Sequence, residues 1–147
     1  MRIVRVKENR IKDVKALSQK YEFEVNRDWD NLLNGKETEI YILVDKGRTI
    51  GFTGLIHNDW NETLQILDIF IDPEIRNRGY GRQAISFLLG NAKRMHRYRC
   101  IIAEAPAKDN IDKFYAKLGF RKCGYNDRYY TNDDNGDIAI FMSYDLR

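Results

Sequence analysis

The sequence predicts an α/β chain: a mixed sheet with helices packed on it, in the order β-α-β-β-β-α-β-α-β-β. Three observations carry that expectation. Two β-rich runs, residues 39–45 and 49–57, are joined by the tight-turn composition Asp45-Lys46-Gly47-Arg48 and form a hairpin. Residues 63–72 are apolar on both alternating faces, Leu64, Ile66 and Phe70 on one and Leu67, Ile69 and Ile71 on the other, which marks a central strand. Apolar stripes at helical spacing alternate with the later strands.

Taken in order, residues 3–7 alternate apolar and basic side chains as a strand does, and Ile11, Val14, Ala16 and Leu17 then recur at near-helical spacing. The hairpin follows, then a turn at Asn58-Asp59-Trp60-Asn61, then the central strand closed by Pro73. Past Gly79 and Gly81, the positions Ile85, Leu88, Leu89, Ala92 and Met95 make an amphipathic helix whose Lys93-Arg94 tail suits a helix C-terminus. Residues 100–105 form a short buried strand ended by Pro106. Ile111, Phe114, Tyr115 and Leu118 form a further helical stripe, stopped by a C-cap at Gly119. Residues 120–130 and 138–144 are two last strands, reversed through the segment holding Asn135-Gly136.

A chain of 147 residues without repeat or linker is read as one domain, residues 1–147. Its net charge of +3 argues for neither a nucleic-acid nor a membrane partner. No run approaches the ~20 apolar residues of a membrane span, and Met1-Arg2-Ile3-Val4-Arg5-Val6 lacks the apolar core of a secretory signal, so a cytoplasmic location is expected. Cys100 and Cys123 lack zinc spacing and are read as reduced thiols. His57 and His96 have no metal-ligand partner at recognisable spacing; solvated or capping roles suit them, and no metal is expected. The basic run from Lys93 to Arg99 has no nucleic-acid recognition motif around it.

The most informative segment is Ile71-Asp72-Pro73-Glu74-Ile75-Arg76-Asn77-Arg78-Gly79-Tyr80-Gly81-Arg82, which joins the central strand to a helix. Glycines there let successive N–H groups converge on an anion, the helix N-terminus adds partial positive charge, and Arg76, Arg78 and Arg82 add full charges. No Gly-Lys-Ser/Thr follows, and the three-glycine dinucleotide fingerprint is incomplete. Arg76, Gly79 and Gly81 resemble the Arg/Gln-x-x-Gly-x-Gly/Ala signature of the GCN5-related N-acetyltransferase (GNAT) superfamily. The segment Phe114-Tyr115-Ala116-Lys117-Leu118-Gly119-Phe120 is similar to that family's Phe-Tyr-x-Lys-x-Gly-Phe helix.

The resemblance implies a mostly antiparallel central sheet and acetyl-CoA as acyl donor, its pyrophosphate on residues 76 to 82, Asn77 and Tyr80 included. It also implies a backbone N–H from Ile69, Phe70 or Ile71 to meet the oxyanion, and Tyr115 facing the coenzyme sulfur as the acid. Asn110 is a further cofactor candidate, although the family often has its Asn where this chain has Lys108.

Read from the residues themselves, acyl transfer to an amine needs a base, an oxyanion partner and a proton for the thiolate. Asp68 interrupts an apolar run, where a carboxylate is costly unless paired or facing water; it is either the base or a paired carboxylate that fixes the sheet. Glu104 is the competing base, and Tyr115 is either the acid or a core aromatic. Glu22, Glu24, Asp28, Asp30, Asp59 and Glu62 could rim a site for a cationic small molecule, with Trp29, Trp60 and Tyr129 as flat contact surfaces. Local runs, Trp60-Asn61 and Ile66-Leu67-Asp68-Ile69 in one case and Arg128-Tyr129-Tyr130 in the other, are similar to streptothricin-type and to ribosomal-protein alanine N-acetyltransferases. The expected function is N-acetyl transfer to a primary amine of an antibiotic- or polyamine-like molecule. The alternatives are a protein N-terminal acetyltransferase and a non-catalytic acyl-CoA sensor. The expected partners are acetyl-CoA and the amine, with a homodimer allowed.

Overall fold

Hydrogen bonding orders seven strands as β1-β2-β3-β4-β5-β7-β6 in the computed structural model, which describes residues 1–130 and 138–147. The strands are β1 (Arg2–Arg5), β2 (Thr38–Asp45), β3 (Arg48–Asn58), β4 (Thr63–Ile71), β5 (Cys100–Pro106), β6 (Arg121–Asn126) and β7 (Ala139–Asp145). The helices are α1 (Ile11–Lys20), α2 (Trp29–Asn34), α3 (Tyr80–Met95) and α4 (Ile111–Lys117). The predicted order is found, with one addition: α2, six residues long, capped by the Asp28 carboxylate accepting from the Asn31 amide at 3.0 Å. The reversal expected at Asn135-Gly136 lies outside the described residues. No helix among those described is long and apolar enough to cross a membrane.

The chain forms two compact units, Met1–His57 with Leu67–Leu88, and Asn58–Ile66 with Leu89–Arg147. In the first, β1 and β2 pair antiparallel, and β2 and β3 form the predicted hairpin. Ile40, Ile42 and Val44 alternate onto a core with Val14, Leu17, Trp29, Phe52 and Phe70, while Leu43, on the other face of β2, packs with Ile50, Ile71 and Ala84. Phe70 is stacked on Phe52 at 5.2 Å and lies 4.9 Å from Phe23. A Cβ at Gly51 would stand 2.3 Å from the Phe70 carbonyl oxygen, so that position of β3 takes only glycine.

In the second unit β5 pairs antiparallel with β7 and β7 with β6, while Thr63–Gln65 of β4 run parallel to Cys100–Ile102. Ile101, Ala103 and Ala105 of β5 are buried together with Met142, Tyr115 and Phe120. The helical stripe of α4 ends as predicted: Gly119 takes φ +97° and the Phe120 amide donates to the Tyr115 carbonyl at 3.1 Å. β6 stops at Asn126, short of the predicted residue 130, because the Asn126 side chain accepts from the Arg128 amide at 2.8 Å and turns the chain.

Candidate functional site

The exit of β4 is braced before it becomes a loop. The Asp72 side chain, only 3% exposed, accepts from the Tyr21 hydroxyl at 2.7 Å, the Arg48 guanidinium at 2.9 Å and the Glu74 amide at 3.0 Å. Burial pushes its pKa up, but the Glu74 amide, the Tyr21 hydroxyl and the charges of Arg48 and Lys20 outweigh burial and hold the carboxyl below its ordinary range. Arg76 turns its Nε back to the Ile71 carbonyl at 2.8 Å, and its guanidinium lies 5.5 Å from the Phe70 ring centre. The Tyr80 hydroxyl donates to Asp45 at 3.1 Å, pinning the start of α3.

Between these anchors the backbone is left-handed at Asn77 (φ 64°) and Gly79 (φ 84°). A Cβ built on Gly79 meets no atom within 4 Å, so the space beside that backbone is open. A sixteen-residue helix starts at the next residue, and Arg78 and Arg82 are exposed. Left-handed turns, a helix dipole and free arginines together fit a pyrophosphate. Gly81 corrects one expectation: it lies in the first turn of α3, helical rather than left-handed, so only Gly79 of the pair supplies unusual backbone.

In the same unit, Asp68 receives both arms of the Arg27 guanidinium, Nη1 on Oδ2 and Nη2 at 3.4 Å from Oδ1. Its side chain is 10% exposed. Burial raises its pKa to about 6, against the opposing hydrogen bond and charge of Arg27 and with a small upward push from Glu24. A carboxyl with that affinity is ionised at neutral pH and is a stronger base than an ordinary aspartate. The backbone N–H groups expected to face an oxyanion, at Ile69, Phe70 and Ile71, follow along β4, beyond the residues that pair with β5.

The second unit holds the other candidates. Tyr115 is 3% exposed, its ring 5.2 Å from that of Phe114 and 5.2 Å from that of Phe120. Asn110 precedes α4 in the left-handed region (φ 55°) and its side chain makes no cap bond, so the backbone turn explains this asparagine. Glu104 stands opposite Phe141 across the β5–β7 pair, and the Tyr129 ring packs edge-on at 5.5 Å from the same phenylalanine. One sheet face thus gathers a candidate base and a candidate substrate contact.

The expected substrate rim is mostly engaged elsewhere. Trp29 is corrected outright: an indole read as a contact surface is 4% exposed, because α2 turns it into the core edge-on to Phe52 at 5.3 Å. Glu24 pairs with Arg27 at 3.3 Å and Asp30 with Lys15 at 2.7 Å, while Asp28 caps α2. In the second unit Asp59 pairs with Arg97 at 2.8 Å, and Glu62 pairs with Arg147. Glu22 is exposed, and Trp60 is 87% exposed. His57 is not solvated as expected: it bonds Glu39 at 2.9 Å. His96 is left-handed at φ 52°, immediately past the end of α3. Cys100 and Cys123 are free thiols. Among the described residues no group of three or more His, Cys, Asp or Glu side chains could hold a metal. Reading the sequence missed Arg27, Tyr21 and Arg48, which lie far from their carboxylates along the chain.

The sequence matches the family model described as the acetyltransferase (GNAT) family over residues 5–120. Comparison with curated proteins gives no match. Among solved structures, the dodecameric spermidine N-acetyltransferase from Vibrio cholerae is similar with a TM-score of 0.83 and 15% identity, covering 99% of this chain and 93% of that one. The ribosomal-protein-S18-alanine N-acetyltransferase from Escherichia coli has a TM-score of 0.78 and 18% identity over 99% of this chain and 93% of that one. These two likenesses are of fold. A putative streptothricin acetyltransferase from Bacillus anthracis, in complex with acetyl coenzyme A, is 27% identical with a TM-score of 0.70, over 83% of this chain and 70% of that one.

Proposed function

The chain belongs to the acetyltransferase (GNAT) family, and on that premise we propose that it moves acetyl from acetyl-CoA to a primary amine of a cationic small molecule, antibiotic- or polyamine-like. The observation that carries this reading is the similarity to the acetyl-CoA-bound putative streptothricin acetyltransferase at 27% identity. The loop supports it with an open Gly79 ahead of a long helix. The family match runs through segments of both units, which supports treating residues 1–147 as one catalytic domain.

Acetyl-CoA supplies an activated thioester when bound. On this reading Arg78, Arg82 and the amides from Asn77 to Arg82 hold its pyrophosphate, and an amide from Ile69 to Ile71 takes the charge that develops on the carbonyl oxygen. Asp68 or Glu104 accepts the proton of the amine as the C–N bond forms. The Tyr115 hydroxyl holds the proton that the sulfur needs as the C–S bond breaks. Asn110 contacts the coenzyme; Glu22, Trp60 and Tyr129 contact the acceptor.

The test follows CoA thiol release over a panel of spermidine, aminoglycosides, streptothricin and a peptide with N-terminal alanine, with products identified by mass. Release with a small cationic amine and an added mass of one acetyl group is expected. Turnover confined to the peptide would replace the acceptor with a protein N-terminus. Tight acetyl-CoA binding without turnover on any amine would leave a sensor. Tyr115→Phe is expected to lower kcat about 10-fold or more with acetyl-CoA affinity kept, and an unchanged rate removes the phenol from the mechanism.

A further inference from the structure

The loop between α1 and α2 holds an arginine with three separate attachments. Arg27 forks onto both Asp68 oxygens, its Nη2 lies 3.3 Å from Glu24, and its guanidinium carbon lies 4.8 Å from the centre of the buried Trp29 ring. Its backbone is fixed as well: the Arg27 amide donates to the Glu24 carbonyl at 3.1 Å, and the Arg27 carbonyl accepts from the Trp29 amide at 3.0 Å. The side chain is 18% exposed. On the other side of Asp68, the Thr53 hydroxyl of β3 donates to the Asp68 carbonyl at 2.6 Å and holds the strand that presents the carboxylate. The charged groups that face the Asp68 carboxylate are Arg27 and, more weakly, Glu24.

We propose that Arg27 is a positioning residue for the transfer reaction: stacked on Trp29, it fixes the orientation of the Asp68 carboxylate and keeps it ionised so that it can take the amine's proton. The inference rests on the reading of Asp68 as the base. Without a counter-charge a carboxylate this buried would be neutral and useless as a base near pH 7. With a guanidinium on both oxygens it stays charged, yet burial keeps its proton affinity well above that of an ordinary aspartate. The fork and the stacked plane are properties of arginine that lysine lacks. The core position of Trp29 acquires a purpose on this account, since the indole supplies the platform that aims Arg27.

The experiment compares wild type, Arg27→Gln and Arg27→Lys in two readouts: the ¹³C titration of the Asp68 carboxyl, assigned with Asp68→Asn, and the pH dependence of kcat/KM with whichever amine of the panel is turned over. In Arg27→Gln the Asp68 titration should move up by about one unit or more. The acid limb of the rate profile should move with it, so that activity lost near pH 7 returns at higher pH. Arg27→Lys should recover part of both shifts. An Asp68 titration unmoved in Arg27→Gln overturns the proposal, as does a rate lowered equally at every pH. If the titration moves and the acid limb stays, Arg27 still governs the carboxylate, and it is the assignment of Asp68 as base that fails.

Discussion

Asp68 inside β4 and Asp72 at its exit stand four residues apart, both withdrawn from water, and they finish with opposite proton affinities. Asp72 is the more buried, yet its carboxyl is held below the ordinary range; Asp68 is pushed up to about 6. Exposure alone therefore does not rank the two: burial dominates at Asp68, and the donors outweigh it at Asp72. Asp72 receives donors from α1's end, from β3 and from its own turn, whereas Asp68 has one guanidinium carried on a loop and an adverse glutamate beyond it. A carboxylate supplied with several fixed donors becomes a brace. One supplied with a single shared donor stays close to taking up a proton.

Substitution should separate the two. Asp68→Asn is expected to lower kcat by about 10²–10⁴-fold, as loss of a general base does. Asp72→Ala should act on stability instead: it leaves the Tyr21 hydroxyl and the Glu74 amide without their acceptor and should cost about 1–3 kcal/mol in urea unfolding, with kcat disturbed less than acetyl-CoA affinity. If Asp72→Ala lowered kcat as far as Asp68→Asn does, the distinction between brace and base would collapse. Gly79→Val should weaken acetyl-CoA binding about tenfold, since it adds a β-branched side chain at positive φ in space the coenzyme would fill. Wild-type affinity by calorimetry in that variant would remove the loop from the cofactor site.

A further effect is on stability against pH. Asp68 has a folded pKa above its unfolded one, so its stabilising contribution is full below about pH 4 and is lost as pH rises through about 6. Asp72, held low, contributes above its ordinary range and loses that contribution as pH falls. Urea midpoints of Asp68→Asn should therefore lack the decline expected of wild type between about pH 4 and 6.

Much of the frame was legible because periodicity is local. β2, β3, β4 and α3 announce themselves by alternation or by helical stripes, and the glycine-containing loop by its position between strand and helix. α2 was not legible: six residues with one capping aspartate hold too little pattern, and its Trp29 was read as surface because nothing nearby in sequence shows the Phe52 ring that covers it. Asp68 stood out as a charge in an apolar run, but Arg27 lies 41 residues earlier in a polar loop where an arginine carries no signal. Asp72 shows in the sequence only as the end of a strand, because Tyr21 and Arg48 reach it from 51 and 24 residues away. The acidic rim failed for the same reason: composition places acids together but does not reveal the lysine or arginine folded onto each one.

The central claim, that the exit of β4 holds a fixed brace and its interior a poised base, is tested most directly by ¹³C titration of the two carboxyls in the wild-type protein. The account predicts Asp68 near 6 and Asp72 below the ordinary aspartate range. Two carboxyls titrating together in the ordinary range near ~4 would contradict it.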